Sequence, residues 1–290
     1  MSDGKRYGLS DSLLDAVRSV QAQEKNLETN EEKHRGALGV NQQKQTEEPI
    51  EEMSSKEKMK KGLYNGKMDP VGKADKDIDN DGDFDCLVTN HSTNLYLLEN
   101  NGEGYFSNIS VDAGLDVEGF FLQAKMEDFD NDGYVDLVYS GGTHRYYHNN
   151  GDNTFTHIDN TFPGDDTMHS LCIGDVNRDG QVDLYASYGG GYVNPDPNNP
   201  DVLWVNEGND NHWITFELEG IQSNIDAVGA KVVITGAFGT QVREVRAGES
   251  YGITNTFSCH FGLGTSESVE TATVFWPSGL ETVLDLPDIN

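Results

Sequence analysis

Three nine-residue stretches place an oxygen-bearing side chain at nearly every second position around a glycine. They are DIDNDGDFD (Asp77 to Asp85), DFDNDGYVD (Asp128 to Asp136) and DVNRDGQVD (Asp175 to Asp183). Positions 1, 3, 5 and 9 carry Asp or Asn throughout. The sets are Asp77, Asp79, Asp81 and Asp85; Asp128, Asp130, Asp132 and Asp136; and Asp175, Asn177, Asp179 and Asp183. Position 7 varies (Asp83, Tyr134, Gln181), as expected of a residue that offers only its backbone carbonyl. Calcium is a hard cation that takes six to eight oxygen ligands, and this is a chemistry such turns can do. Two carboxylates about 4 Å apart repel by roughly 4 kcal/mol at an effective dielectric of 20, so the turns are expected to need a divalent cation to stay closed. A helical calcium hand requires a bidentate Glu at position 12 and a helix after it. Here position 12 is Val88, Tyr139 or Ala186, and strand-like sequence follows, which excludes that hand.

The elements that must position these loops repeat with them. The loop starts lie 51 and 47 residues apart, and each loop runs into an apolar segment: CLVT, LVYS or LYAS. A period of this size is the signature of stacked or radially arranged units. Further on stand NNGEGYF (Asn100 to Phe106), NNGDNTF (Asn149 to Phe155) and a weaker copy, NEGNDNHW, from Asn206. An Asn-Gly turn before an aromatic predicts a tight hairpin. Loop, strand, turn, strand describes one blade of a small antiparallel sheet. The reading is therefore mainly β: an incomplete propeller of about three calcium-loop repeats, then a small β domain, behind a partly helical or disordered N-terminal segment.

That N-terminal segment, residues 1–74, is charge-balanced, so the net charge of −30 falls on the rest of the chain. So acidic a region repels nucleic acid and anionic membranes and favours cations as partners. Leu9, Leu13, Val17 and Val20 predict one helix, and Pro49 to Lys61 a second, with a disordered stretch between. The three cysteines (Cys86, Cys172, Cys259) are too scattered for a disulfide framework and are expected as small buried hydrophobes. No apolar run is long enough to span a membrane, and the N-terminus lacks the apolar core of a signal peptide.

At the loops the sequence resembles the FG-GAP/VCBS repeats of calcium-binding β-propellers, over about residues 75–206. Residues 207–290 resemble the ASPIC/UnbV domain through Asn211 to Val232, REVRAGESY (Arg243 to Tyr251), HFGLG (His260 to Gly264) and VFWPSG (Val274 to Gly279). The resemblance implies calcium ligands at positions 1, 3, 5 and 9 of each loop, with position 7 alongside them. It also implies an extracellular location, with a protein or polysaccharide ligand. The N-terminal block resembles small structural proteins of tailed marine bacteriophages. The stretch before the first loop, MDPVGKADKDID, does not read as the inner strand of a blade. A junction between foreign segments near residue 76 is therefore expected, together with C-terminal truncation.

An enzyme is not expected. The chain has no GxSxG, no HExxH and no phosphate-cradling glycine loop. Gly189 to Gly191 reads as a loop, and His144 and His148 as exposed strand histidines. The leading reading is an adhesive or ligand-binding module without catalysis. The alternatives are a scaffold within a polysaccharide-acting enzyme, for which Tyr146, Tyr147, Tyr188 or Tyr192 would be aromatic platforms, and a broken gene product.

Overall fold

The computed structural model describes residues 70–286, apart from 92–93, 143, 163–165, 190–195 and 285. The predicted N-terminal helices and the phage-like block lie outside the described residues. Among those residues the chain forms strands joined by turns, with no α-helix. The first sheet contains β1 (Pro70–Lys76), β2 (Asp85–Asn90), β3 (Tyr96–Asn100) and β4 (Phe106–Asn108), antiparallel in sequence order. The second repeats it with β5 (Phe121–Glu127), β6 (Asp136–Gly141), β7 (Arg145–Asn149) and β8 (Phe155–Ile158). The third has three strands: β9 (Ser170–Gly174), β10 (Asp183–Ser187) and β11 (Val202–Trp204). Each Asp-rich loop joins the first two strands of its sheet, and the Asn-Gly turns close the β3–β4 and β7–β8 hairpins. The fold is thus the expected open, propeller-like set of blades.

The inner strands β1, β5 and β9 stand side by side. Between the first two blades lies a core that includes Ala74, Leu87, Leu97, Phe121, Met126 and Tyr139. Between the second and third lies another, containing Val138, Leu171, Val182 and Leu184. Fully burying one such Leu or Phe contributes about 1.5–3 kcal/mol.

After Asn206 the chain leaves the third blade. It forms a pair, β12 (His212–Phe216) with β15 (Cys259–Gly264), and a four-stranded sheet. That sheet contains β13 (Lys231–Gly236), β14 (Gly239–Glu244), β16 (Thr271–Phe275) and β17 (Glu281–Leu284) in the order β14-β13-β16-β17. The expected alternation in β12 holds: Ile214 and Phe216 are buried in a core with Val232, Phe261, Val274 and Trp276. Of the cysteines only Cys259 is fully buried. Cys86 and Cys172 are half-buried, and all three are free thiols.

One expectation is overturned. The stretch before the first loop is the inner strand of its blade: β1 pairs with β2 from Pro70↔Asn90 to Lys76↔Asp85. It did not look like one because its neighbours are charged. Ala74 is fully buried, while Asp75 meets Arg246 at 3.0 Å and Lys76 meets Glu127 at 3.0 Å. Residues 70–76 therefore form part of the first blade.

Segment 246–255 crosses all three inner strands. Ser250 N donates to Lys73 O in β1 (2.9 Å), and Ser250 Oγ accepts from Ala124 N in β5 (3.0 Å). Asn255 Oδ1 accepts from Ile173 N in β9 (3.2 Å). Glu249 meets the fully buried Lys125 at 3.0 Å. Strand edges left open in this way invite pairing with other chains, and here they are covered from within.

Removing one partner of a buried ion pair typically costs about 3–5 kcal/mol, because the other charge stays in an apolar setting. Glu249→Ala is expected to lower stability by that amount in urea unfolding. Adding Lys125→Met should return most of it, whereas additive losses would show that the pair is not coupled.

Candidate metal centre

The three loops adopt one conformation. Position 4 is left-handed in each (Asn80 φ 59°, Asn131 φ 59°, Arg178 φ 61°), and so is the glycine at position 6 (Gly82 φ 101°, Gly133 φ 100°, Gly180 φ 84°). Glycine adopts that conformation without steric cost. The first aspartate grips the turn through both oxygens. Asp77 accepts from Asp81 N (3.2 Å) and Gly82 N (3.1 Å), and Asp128 from Asp132 N (3.1 Å) and Gly133 N (2.8 Å). Asp175 accepts from Asp179 N (3.1 Å) and Gly180 N (2.9 Å). Positions 3 and 5 each accept one backbone N–H two residues on, for example Asp132 N to Asp130 (3.2 Å) and Tyr134 N to Asp132 (2.8 Å).

The ninth residue ties the loop to its blade. Asp85 accepts from Ile78 N (3.0 Å) and Asn100 N (2.8 Å), and Asp136 from Phe129 N (3.1 Å) and Asn149 N (2.8 Å). Asp183 accepts from Val176 N and Asn206 N, both at 2.9 Å. The asparagines opening the turns mark the hairpins and also link blades. Asn149 Nδ2 donates to Ile78 O of the preceding loop (2.9 Å), and Asn206 Nδ2 to Phe129 O (2.7 Å).

Among the described residues, carboxylate oxygens of Asp77, Asp79 and Asp85 lie within 4.8 Å of one another, as do those of Asp128, Asp130 and Asp132. A third such group joins Asp130 and Asp136 to His148. Asp81, Asp83 and the third-loop acids Asp175, Asp179 and Asp183 fall in no such group. In the third loop the amide of Asn177 stands where the other loops have a carboxylate. Of the position-7 residues, Gln181 uses its side chain, with Oε1 accepting from Asn131 Nδ2 at 3.1 Å. Tyr134 lays its ring against Gly151.

His148 is not the exposed strand histidine expected. Its Nδ1 lies 3.1 Å from Asp130 and 3.3 Å from Asp136. The Asp136 hydrogen bond, with the neighbouring carboxylates, raises it to about 9, so it is charged at neutral pH. His144 instead packs against Phe162 and Tyr188.

Burial dominates the electrostatics of the acids. It pushes Asp77 up to about 6 and Asp85 up to about 7. Burial also lifts Asp132 to about 6, and Asp128 rises well above the usual carboxylate range, with Asp136 adding to the effect. All-oxygen donors, held on tight turns and costly to ionise alone, fit a hard divalent cation.

The C-terminal β domain sits on these loops. Arg243, 1% exposed, points its guanidinium toward Glu127 (Nε 3.8 Å), and its charge offsets part of the rise that burial imposes on Asp77 and Asp128. His260 Nε2 bonds Asn131 Oδ1 (2.6 Å), and Gly264 N donates to Asn131 O (2.8 Å). A Cβ built on Gly262 would collide with Asp128 Oδ2 and the Asn131 backbone, and one on Gly180 with the Trp213 ring. Within REVRAGESY and HFGLG no local signal marks Arg243, His260 or Gly262 for these contacts. Their partners lie more than a hundred residues away.

Carboxyls raised on folding stabilise the protein while protonated, and that contribution is lost as pH rises through their folded values. With no divalent cation present, thermal stability should therefore fall between about pH 4 and pH 7. A calcium-saturated sample should show a much smaller decline. Two parallel profiles would rule out the loop acids as its source. Gly262→Ala should lower the unfolding midpoint by several degrees and weaken calcium binding, read by calorimetry on the full chain.

The FG-GAP-like repeat family model matches residues 77–139 and 128–186, and the ASPIC and UnbV model matches residues 220–290. No curated protein matches the chain. Among solved structures, the crystal structure of the V. cholerae biofilm matrix protein Bap1 is similar at 14% identity. That match covers 76% of this chain and 40% of Bap1, with a TM-score of 0.29, too low to carry an argument. The chain thus spans well under half the length of that protein. Repeats and C-terminal domain together make the chain an FG-GAP-like repeat protein with an ASPIC and UnbV domain.

Proposed function

We propose that this protein is a calcium-binding extracellular module that acts by adhesion or ligand binding, without catalysis of its own. The observation that carries this reading is the threefold repetition of one loop geometry, with buried acids whose ionisation is costly unless a cation compensates it. Asp77, Asp79 and Asp85 would hold the ion in the first loop, with Asp81 and position 7 beside them. Asp128, Asp130 and Asp132, with Asp136, would do so in the second. Asp175, Asn177, Asp179 and Asp183 form the corresponding set in the third. Calcium, when bound, supplies positive charge at fixed points. The chain's own residues do the rest. The position-9 aspartates lock each loop to its blade, and Arg243, His260 and Gly262 press the C-terminal domain onto the loops. Calcium binding in this reading stabilises the domain arrangement as well as single turns.

The strongly negative charge favours cations over nucleic acid. The repeat families and the acidic, oxygen-rich turns support an extracellular setting, where calcium is abundant. Among the described residues no helix is long and apolar enough to cross a membrane.

A ligand that binds only the folded state stabilises it by about 2.7 kcal/mol at a hundredfold excess over Kd. Thermal unfolding of the full chain in millimolar calcium is expected to give a midpoint several degrees above that in excess chelator, with magnesium much less effective. Identical midpoints in calcium and chelator would reject the reading.

A further inference from the structure

Between the second and third blades lies an open cavity of about 300 Å³ beside the second loop, at the lower end of the range for small-molecule sites. Its floor is aliphatic and buried: Val138, Val182 and Leu184 are 1%, 5% and 4% exposed. Its walls are the aromatic rings of Phe129, Tyr146, Phe162 and Trp204. Phe129 stands edge-on to Tyr146, and Phe162 edge-on to Trp204, so the rings hold one another in place. The Tyr146 hydroxyl is tied to Asp136 at 2.8 Å, leaving its ring to serve as wall. The rim is polar: half-buried Asp130 and exposed Thr161 and Glu207.

We infer that this cavity binds a neutral pyranose sugar, seated with its C–H face on the aromatic walls and its hydroxyls toward the rim. The inference rests on the adhesion or ligand-binding reading and names the ligand class. Three observations select the occupant. Among the described residues no Lys or Arg lines the cavity and the exposed Glu207 carries a negative charge at its rim, so an anionic ligand finds no counter-charge there. The carboxyl groups of Asp130 and Glu207 sit at the mouth and the floor is aliphatic, so an ammonium group entering deeply would lose its hydration with no counter-charge beneath it. A pyranose has the matching division, with apolar C–H faces and an equatorial belt of hydroxyls that donate to rim carboxylates. The volume suits about one ring, as expected for recognition of a chain end or a single residue of a polysaccharide. Asp130 belongs both to the second loop and to the rim, so the pocket is built on the element that calcium would fix.

The test uses the full chain in millimolar calcium. The methyl pyranosides of glucose, galactose and mannose and their linear trisaccharides are the probes, followed by saturation-transfer NMR and calorimetry. At least one should bind with a millimolar or tighter Kd. Trp204→Ala should weaken it tenfold or more, and Glu207→Gln a few-fold with an unchanged unfolding midpoint. Because Glu207 is exposed, that variant carries the test if Trp204→Ala does not fold. Absence of binding across the set, binding unaffected by Glu207→Gln, or preference for tetramethylammonium or glucuronate would overturn the inference. Calcium stabilisation without sugar binding would defeat this inference alone. Sugar binding without calcium stabilisation would defeat the calcium reading and leave the pocket standing.

Discussion

A buried aspartate at the ninth position of each loop accepts two backbone N–H groups, one from the start of its own loop and one from the asparagine that opens the following turn. Asp85, Asp136 and Asp183 are 1%, 0% and 1% exposed, so these bonds form where unpaired backbone groups would be costly. Each fixes the loop's far end, the start of the second strand and the end of the third at a single point. In the second and third blades the asparagine at that point, Asn149 or Asn206, then reaches a carbonyl of the preceding loop. The blade's internal geometry and its angle to its neighbour are thus set together. The clustering of acids in the loops follows from that anchorage.

Three blades do not close a ring, and the exposed inner strands would be a liability in isolation. The C-terminal domain resolves this in two ways. Its 246–255 segment supplies the hydrogen-bond partners and counter-charges that further blades would otherwise provide. Its β14 and β15 strands cover the loops, bringing Arg243, His260 and Gly262 against the acids. Burial raises the carboxyls of Asp77, Asp85, Asp128 and Asp132, and Gly262 of this domain lies close against Asp128. The same docking gives Asp75 of β1 its partner Arg246, while Lys76 is paired with Glu127 of β5.

The second blade differs from its companions. At the position before the anchoring asparagine, blade one has Glu99, blade two His148 and blade three Val205. His148 brings a positive charge to Asp130 and Asp136, so the second loop carries an internal counter-ion that the others lack. The third blade ends after β11, because the chain departs at Asn206 for the C-terminal domain. The aromatic cavity opens beside that departure, between β7 and β11. Of the tyrosines singled out as platforms, Tyr146 forms its wall. Tyr147 is buried against Tyr139 and His157, Tyr188 packs on His144, and Tyr192 lies outside the described residues.

The sequence by itself determined what local periodicity can encode. Alternating Asp and Asn around a glycine dictates the turn, the apolar tetrads after each loop dictate β2, β6 and β10, and the Asn-Gly pairs dictate the hairpins. These signals are short-range, and the backbone reads them without help. Tertiary structure decided everything that depended on distant partners. A charged stretch became the inner strand β1 because Arg246, 171 residues beyond Asp75, and Glu127 at the end of β5 supplied its counter-charges. Arg243, His260 and Gly262 acquired roles only when docking brought them to the loops. His148 became a charged partner of the second loop because β7 runs beside the start of β6. Pattern within a segment is legible from a chain, but pairing of charges between segments exists only once burial has made an unpaired charge expensive.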